Sequence, residues 1–255
     1  MSAMVMGWIV FMCVFSGALL GMFLRDRLPK HHLSPDSRDV VKLGTGLIGT
    51  MAALVIGLLI SSAKGSFDTL RTEMTQSATN LVLLDRVLAH YGPEAREIRE
   101  QLRDMSTSWV DLMWPADSSR ALDLDVMKRA PAPVERIGDM IRELAPHTDS
   151  QRELQAQAQQ LIGAMAQTRW LFLEQTDSQS IPLPFLAVLV VWLTVIFVSF
   201  GLFAPSNATV VTVLLLCALS TAGAIFLILE MEQPFAGLIK ISSAPVRDAI
   251  SHLGQ

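Results

Sequence analysis

Three short patterns in this sequence of 255 residues contain residue types that could do chemistry. Residues 44–49 satisfy G-x-G-x-x-G, the pattern of a dinucleotide-binding turn. Residues 61–64 satisfy S-x-x-K, the spacing of an acylating serine and its lysine. His31 and His32 stand near Asp36, and these residue types bind metals. Each of these chemistries needs a particular structural setting.

The surrounding sequence argues against all three patterns. A dinucleotide-binding turn follows a strand and lies in water, whereas residues 43–63 are an uncharged stretch long enough to cross a bilayer as a helix. The companion motifs of an S-x-x-K enzyme are missing. Adjacent histidines point apart in most backbones and no second ligand pair is present, so a solvated turn is the better interpretation. We therefore predict no enzyme activity, no metal site and no cofactor.

The uncharged stretch continues into polar sequence without a proline, which predicts one long helix over residues 43–75. Small side chains recur on one side of it, and charged side chains continue that side beyond the membrane. We call Gly46, Thr50, Ala53, Gly57 and Ser61 the small face, and Lys64, Asp68 and Arg71 its charged end. The other side carries Leu47, Ile48, Met51, Leu54, Val55, Leu58 and Leu59.

The small face has two explanations. Gly and Ala allow backbones to approach closely in lipid, and Ala53 with Gly57 makes a small-xxx-small pair, so the face could pack against another helix. Alternatively, several copies could arrange the face around a shared axis, where it would line a pore with the charged end at its mouth. The sequence leaves both explanations open.

The composition is that of a membrane protein. Hydrophobic residues make up 51% of the chain and the mean hydropathy is +0.41, with the apolar residues concentrated in a few blocks. Residues 5–24, 183–204 and 208–229 are further uncharged blocks long enough to span. The net charge of −4 gives no indication of a nucleic-acid partner. Cys13 and Cys217 lie in apolar blocks, where a disulfide is not expected.

We therefore predict an all-α membrane protein with four transmembrane helices and a helical extramembrane domain inserted between the second and third. Residues 1–63 hold the first two spans (about 5–24 and 43–63) and a short basic loop. Residues 64–180 form the helical domain, continuous with the second helix, and residues 181–230 hold the last two spans. Residues 231–255 are an amphipathic tail that lies along the membrane or packs onto the domain. The expected helix caps are Ser37 or Asp39, Asp149, and Ser206 or Asn207.

Several separate runs resemble a known family. They are residues 27–29 (RLP), 31–34 (HHLS), 36–44 (DSRDVVKLG), 63–68 (AKGSFD), 84–86 (LDR), 90–95 (HYGPEA), 233–235 (QPF), 237–239 (GLI) and 242–245 (SSAP). On these runs the chain resembles the bestrophin-like inner-membrane proteins of bacteria, a family of unknown function. The resemblance implies a multi-pass protein of the bacterial inner (plasma) membrane.

A more distant resemblance links the chain to the bestrophin anion channels, whose pore helix ends in a small-residue, aromatic, aspartate run like residues 65–68 (GSFD). It implies a homopentamer with a central anion pore lined by the helix that carries Gly46 and Ser61. The sequence departs from the bestrophin pattern at Leu70 and Arg71, which stand where bestrophins have paired tryptophans, and no acidic run that would hold calcium is evident.

Two indications of membrane sidedness conflict. Five Lys or Arg residues follow the first span and none precedes it, so the positive-inside rule places that loop in the cytoplasm and the helical domain outside. The resemblance to bestrophins instead implies a cytoplasmic helical domain. The side of the helical domain therefore stays open.

The function expected from the sequence is an oligomeric passive ion channel, anion-selective, with the helix of residues 43–75 lining its central pore. None of the four spans contains Asp, Glu, Lys, Arg or His, which weakens the alternative of an ion-coupled transporter. The competing function is a non-conducting membrane scaffold or sensor whose helical domain binds a partner. The partners expected are the lipid bilayer, further copies of the chain and inorganic anions, with no nucleic acid.

Overall fold

The computed structural model describes residues 2–29, 34–114, 133–178, 183–235 and 237–254, and its regular elements in these ranges are helices. The α-helices are α1 (Ala3–Arg27), α2 (Pro35–Tyr91), α3 (Arg96–Met113), α4 (Pro133–Glu143), α5 (Asp149–Ser178), α6 (Leu183–Phe203), α7 (Ala208–Met231) and α8 (Ala244–Ser251). Four of them, α1, α2, α6 and α7, are long and apolar enough to cross a membrane. The predicted all-α fold with four spans, and with a helical domain between the second and third, is confirmed.

The chain divides into two units, which share α2. The membrane unit comprises Met1–Ser66 and Ser180–Glu232, and the helical domain comprises Phe67–Gln179 and Gln233–Gln255. Because α2 is one helix of 57 residues, the membrane span and the first helix of the domain are a single element. The helix begins earlier than the sequence pattern predicts and continues through the polar residues to Tyr91.

In the membrane unit, α1 packs mainly against α6 and also against α7. The α1–α6 contact depends on glycine, because a Cβ added to Gly201 would lie 3.0 Å from the carbonyl carbon of Ala18 and closer still to its oxygen. A Cβ on Gly21 would likewise meet the backbone of Val198, and one on Gly17 would lie 2.9 Å from Thr194 Cγ2. The two helices can approach this closely because these glycines have no side chain.

The helical domain is organised around an apolar core contributed by α2, α3, α4, α5 and α8. Leu84, Leu88, Leu102, Ile137 and Ile141 are among its most deeply buried side chains. Gly92 ends α2 with a φ of 131°, a left-handed conformation that favours glycine, and the 3₁₀ turn Pro93–Ala95 then leads into α3. The chain therefore reverses between α2 and α3 at this Gly-Pro sequence.

The C-terminal tail packs onto the helical domain, which decides between the two placements expected from the sequence. Val246, Ala249 and Leu253 are buried in the domain core. Ile241 is buried against Met113, and the Ile241 carbonyl accepts a hydrogen bond of 2.8 Å from Trp114 Nε1. Burial of these apolar side chains is what holds an otherwise polar segment to the domain.

A buried ion pair also holds the tail. Asp85 is 1% exposed, and its carboxylate accepts hydrogen bonds of 2.7 Å and 3.0 Å from Nε and Nη2 of Arg99. The backbone N–H of Gly254 donates to the same carboxylate at 3.2 Å. The hydrogen bonds from Arg99 to Asp85 raise the pKa of Arg99 above its ordinary value. One carboxylate thus joins α2, α3 and the end of the tail.

Tyr91, the last residue of α2, has a buried hydroxyl that no described residue hydrogen-bonds. Burial raises the pKa of the Tyr91 phenol, and the nearby charge of Glu94 raises it further. Burying a hydroxyl without a hydrogen-bond partner is unfavourable, so the Tyr91 hydroxyl lowers the free energy of unfolding that burial of the ring provides.

The predicted helix caps are partly wrong. Ser34 Oγ accepts from the backbone N–H of Ser37 at 3.3 Å, so Ser37 and Asp39 lie inside α2 rather than before it. Thr148 Oγ1 accepts from Gln151 N at 3.1 Å, which makes Asp149 the first residue of α5 rather than its cap. Asn207 does cap α7, accepting from Val210 N at 2.9 Å. The sequence pattern also predicts a short helix over residues 121–129, and these residues lie outside the described ranges.

Candidate functional site

The membrane part of α2 is the span that its own chain covers least. In the most apolar 18-residue stretch of each span, only 6% of α2 is buried, against 28–33% of the other three spans. A span that leaves so much surface uncovered must meet lipid, water or another protein chain. The composition of its exposed surface therefore decides what α2 can do.

The side of α2 that contacts its own chain lies between the two sides distinguished in the sequence. Ala52 and Ala63 are buried. Ile48, Val55, Ile56 and Leu59 are partly buried against the core of the membrane unit. Gly49 also borders this side, because a Cβ added to it would lie 3.9 Å from Ile196 Cδ1. The remaining surface of the membrane part of α2 is open.

All five residues of the small face are exposed. A Cβ added to Gly46 or Gly57 would meet no atom within 4 Å. The Thr50 hydroxyl donates to the carbonyl of Gly46 at 3.0 Å, within the helix. Beyond the apolar stretch, Lys64, Asp68 and Arg71 are exposed on the continuation of the same side. The helix thus brings all eight predicted residues onto one continuous, uncovered side, since residues of one helix face recur with its 3.6-residue period.

Large apolar side chains occupy the neighbouring part of the open surface. Leu47, Leu54 and Leu58 are 65%, 70% and 71% exposed. The open surface of α2 therefore has two stripes, one of small and hydroxyl groups and one of leucines. The leucine stripe can pack against lipid or an apolar helix. The stripe of small residues would leave gaps against either neighbour unless the neighbour came close to the α2 backbone.

Leu70 and Arg71, which depart from the bestrophin pattern, have different environments. Leu70 is fully buried with Met74, Met113 and Ile241 in the helical domain. Arg71 is exposed and belongs to the charged end of the small face. Of the two residues that differ from the bestrophin pattern, one therefore lies in the core of the helical domain and the other on its surface.

Two arginines near the basic loop hydrogen-bond to the end of α6, which the sequence pattern does not predict. Arg25 Nη1 donates to the carbonyl of Ala204 at 2.6 Å, and Arg38 Nη2 donates to the carbonyl of Phe203 at 2.7 Å. The Arg38 guanidinium also lies 5.3 Å from the centre of the Phe203 ring. Both arginines thus satisfy carbonyls at the C-terminal end of α6, where the helix dipole favours positive charge.

The patterns that suggested enzymes lie in unsuitable settings. Residues 44–49 and 61–64 are both inside α2, and no strand precedes the glycine run in the described chain. No group of three or more His, Cys, Asp or Glu side chains among the described residues could hold a metal ion. His31 and His32 lie outside the described residues.

Comparison with known proteins identifies the family. The profile of the Bestrophin-like domain matches residues 12–246, which is most of the chain. The chain belongs to the Bestrophin-like family. No curated protein sequence matches this bestrophin-like chain.

The fold of the bestrophin-like chain resembles solved structures. One variant of a bacterial bestrophin homolog from Klebsiella pneumoniae is 16% identical, with a TM-score of 0.69 and coverage of 96% of each chain. A second variant from the same organism is also 16% identical, with a TM-score of 0.66 and coverage of 96% of this chain and 99% of that one. A structure described only as a membrane protein is 15% identical, with a TM-score of 0.69 and coverage of 96% of each chain. At these identities the similarity establishes the fold.

Proposed function

We propose that copies of this chain assemble around an axis into a passive, anion-selective ion channel, with the small face of α2 lining the central pore. The observation that supports this most directly is that the small face is not covered by its own chain. In α1 and α6, by contrast, Gly17, Gly21 and Gly201 are covered by close backbone contact. The glycines of the small face therefore have no packing role within one subunit.

The two stripes of the open surface suit different neighbours in such a ring. The leucine stripe can contact lipid or the adjacent subunit, because both are apolar. The small face offers the hydroxyl groups of Thr50 and Ser61, which interact favourably with water and ions. Small side chains also leave room along an axis, so a pore between these helices need not be filled by side chains.

Anion selectivity follows from the charged end. Lys64 and Arg71 are positive and Asp68 is negative, so the charged end itself carries one net positive charge in each subunit. Several copies around an axis repeat that charge in a ring, which attracts anions into the mouth and disfavours cations. A pentamer is the assembly that the resemblance to bestrophins implies.

Flux from liposomes tests the proposal. Wild-type protein should pass chloride, and Gly57→Leu should reduce the flux several-fold because it places a branched side chain on the proposed pore wall. Leucine forms helices better than glycine by roughly 1 kcal/mol, so unfolding would not account for the loss. Gly44→Leu is the matched control: its Cβ would also meet nothing within 4 Å, but it lies on a different side of the same helix.

Selectivity has its own test. Replacing Lys64 and Arg71 with glutamine together should lower the ratio of chloride to potassium permeability, measured from reversal potentials in planar bilayers. Absence of flux from purified wild-type protein in any salt, with the oligomer intact, would reject the channel and favour the non-conducting scaffold. Equal loss of flux in Gly57→Leu and Gly44→Leu would reject the small face as the pore lining.

A further inference from the structure

The C-terminal end of α6 brings together two arginines from two other helices. Arg25, in the last turn of α1, donates from Nη1 to the Ala204 carbonyl at 2.6 Å. Arg38, in the first turn of α2, donates from Nη2 to the Phe203 carbonyl at 2.7 Å. The two acceptors belong to consecutive residues, whose Cα atoms lie about 3.8 Å apart, so both guanidiniums are held at the same end of one helix. All of these residues belong to the membrane unit.

The two guanidiniums bring more positive charge than this helix end can balance. The C-terminus of a helix carries about half a negative charge, whereas two arginines carry two full positive charges. Their acceptors are neutral carbonyls, so the hydrogen bonds leave most of that charge uncompensated. Two like charges held close together repel each other, and an anion bound between them would remove the repulsion.

The acidic residues of the neighbouring segments do not supply that anion. Neither Arg25 nor Arg38 forms an ion pair with an Asp or Glu in the part of the chain that the structure describes. Asp39 instead lies 3.8 Å from the Lys42 ammonium. Residues 30–33, which separate α1 from α2 in the sequence, include no Asp or Glu. The counter-ion that fits here is therefore an external anion.

Both guanidiniums keep hydrogen-bond donors for such an anion. An arginine has five N–H donors, and the described contacts of Arg25 and Arg38 use one on each. Arg99, by contrast, gives two of its nitrogens to Asp85. Arg38 is exposed and Arg25 is half-buried, and the Phe203 ring, 5.3 Å from the Arg38 guanidinium, helps to fix that side chain. Guanidinium groups match the oxygens of phosphate in pairs, which makes phosphate the suitable anion.

The surface beside the arginines suits a phosphate that carries hydrocarbon chains. Phe200 is exposed and lies three residues before Phe203, on the same side of α6 and deeper in the span. Val41 is exposed and lies three residues after Arg38, on the same side of α2 and also toward the span. A free phosphate would make no use of these apolar side chains, whereas a phospholipid would contact them with an acyl chain.

We propose that Arg25 and Arg38 together bind the phosphate of an anionic phospholipid, with an acyl chain along Phe200 and Val41. Basic side chains at the ends of membrane spans recognise anionic headgroups in this way. The membrane part of α2 is only 6% buried in its most apolar stretch, so α2 has little else to hold it in the membrane unit. A lipid shared by the two arginines would connect the ends of α1, α2 and α6.

The test measures thermal unfolding of the full-length protein in dodecyl maltoside by circular dichroism, as a function of added ligand. A ligand that binds only the folded protein raises the melting temperature with its concentration, which gives an apparent affinity. Dioctanoyl phosphatidylglycerol should bind about tenfold or more tightly than dioctanoyl phosphatidylcholine, whose choline cation offsets the phosphate charge. Dioctanoylglycerol, which has no phosphate, and inorganic phosphate, which has no chains, should not stabilise the protein at the same concentrations.

Substitutions locate the site. Arg38→Gln and Arg25→Gln should each weaken phosphatidylglycerol binding by about tenfold, because a charged donor is lost while the glutamine amide can still donate to the α6 carbonyl. Arg38→Lys should keep the preference for phosphatidylglycerol over phosphatidylcholine. Arg27→Gln is the matched control, because Arg27 is in the same turn as Arg25 but points about 160° away around α1, with its guanidinium over the Phe23 ring. It should bind phosphatidylglycerol like the wild type.

The proposal is overturned if phosphatidylglycerol and phosphatidylcholine stabilise the wild type equally, a result that needs no variant to fold. Stabilisation by inorganic phosphate alone would show that the site takes a free anion and not a lipid. Equal weakening in Arg27→Gln and Arg38→Gln would show that surface charge, and not this pair of arginines, attracts the lipid. No flux is measured, so failure of this site and failure of the proposed channel are distinguished.

Discussion

Replacing Gly201 with alanine should destabilise the membrane unit, whereas the same replacement at Gly57 should not. The two glycines lie in spans of similar composition, but only Gly201 contacts the backbone of another helix. A Cβ on Gly201 would lie 3.0 Å from the Ala18 carbonyl carbon and 3.0 Å from Met22 N. A Cβ on Gly57 would meet nothing within 4 Å.

The size of the effect follows from these contacts. Carbon atoms in contact lie about 3.5–4.0 Å apart, so α1 and α6 would have to separate by at least about 0.5 Å. A gap of about 0.5–1 Å forfeits roughly a quarter to a half of the attraction of each atom pair across the contact. Overpacking costs about 1–3 kcal/mol, and we expect the upper end because backbone atoms cannot rotate away. At Gly57 the alanine is the better helix former by about 1 kcal/mol.

Thermal unfolding of the purified protein in detergent, followed by circular dichroism, measures the difference. Gly201→Ala should lower the melting temperature by roughly 10 °C, and Gly57→Ala should leave it unchanged or raise it slightly. Cross-linking before and after heating reports whether the copies stay together. If Gly201→Ala melts like the wild type, the described α1–α6 contact is wrong. If Gly57→Ala dissociates the oligomer, the small face packs between helices and does not line a pore.

Two further predictions concern the helical domain. Asp85→Asn should destabilise the domain by about 3 kcal/mol, because it leaves the charge of Arg99 unpaired in a largely buried site. We expect the lower end of the usual range because the Arg99 side chain is 21% exposed and can still contact water. Asp139→Asn is the control, because the ion pair between Asp139 and Arg142 is exposed, and it should change stability by less than about 1 kcal/mol. Equal melting temperatures for Asp85→Asn and Asp139→Asn would contradict this prediction. Tyr91→Phe should stabilise the protein at neutral pH by about 1 kcal/mol, because it removes a buried hydroxyl without a described partner. Burial raises the pKa of Tyr91 in the folded protein, so the unfolded chain ionises first and the wild type should lose stability as the pH rises above about 10. The phenylalanine variant should lose less stability over the same range. If the stabilities of the two proteins change in parallel between about pH 9 and about 11, Tyr91 is not the group responsible.

The four spans were predictable because each is a long run without charge, and the cost of burying charge in lipid makes such runs unambiguous. The end of α2 at Tyr91 was also predictable, because Gly92 and Pro93 cannot continue a helix. The start of α2 was not, because Ser34, Ser37 and Asp39 are all suitable caps and only the backbone path selects Ser34. The roles of Arg25 and Arg38 were missed because their acceptors lie at the end of α6, far away in sequence.

The glycines show most clearly where sequence information ends. The sequence by itself determined that residues 43–63 form a span with a small side, and that this side continues into Lys64, Asp68 and Arg71. It also contained Gly17 and Gly21 at small-xxx-small spacing, a signal for close packing. Only the tertiary structure decided that Gly21 and Gly201 contact a neighbouring backbone while Gly46 and Gly57 stay open. Helical periodicity fixes which residues share a face, because it is a local property of the chain. What covers that face depends on contacts between residues far apart in sequence, so it is settled only when the helices pack.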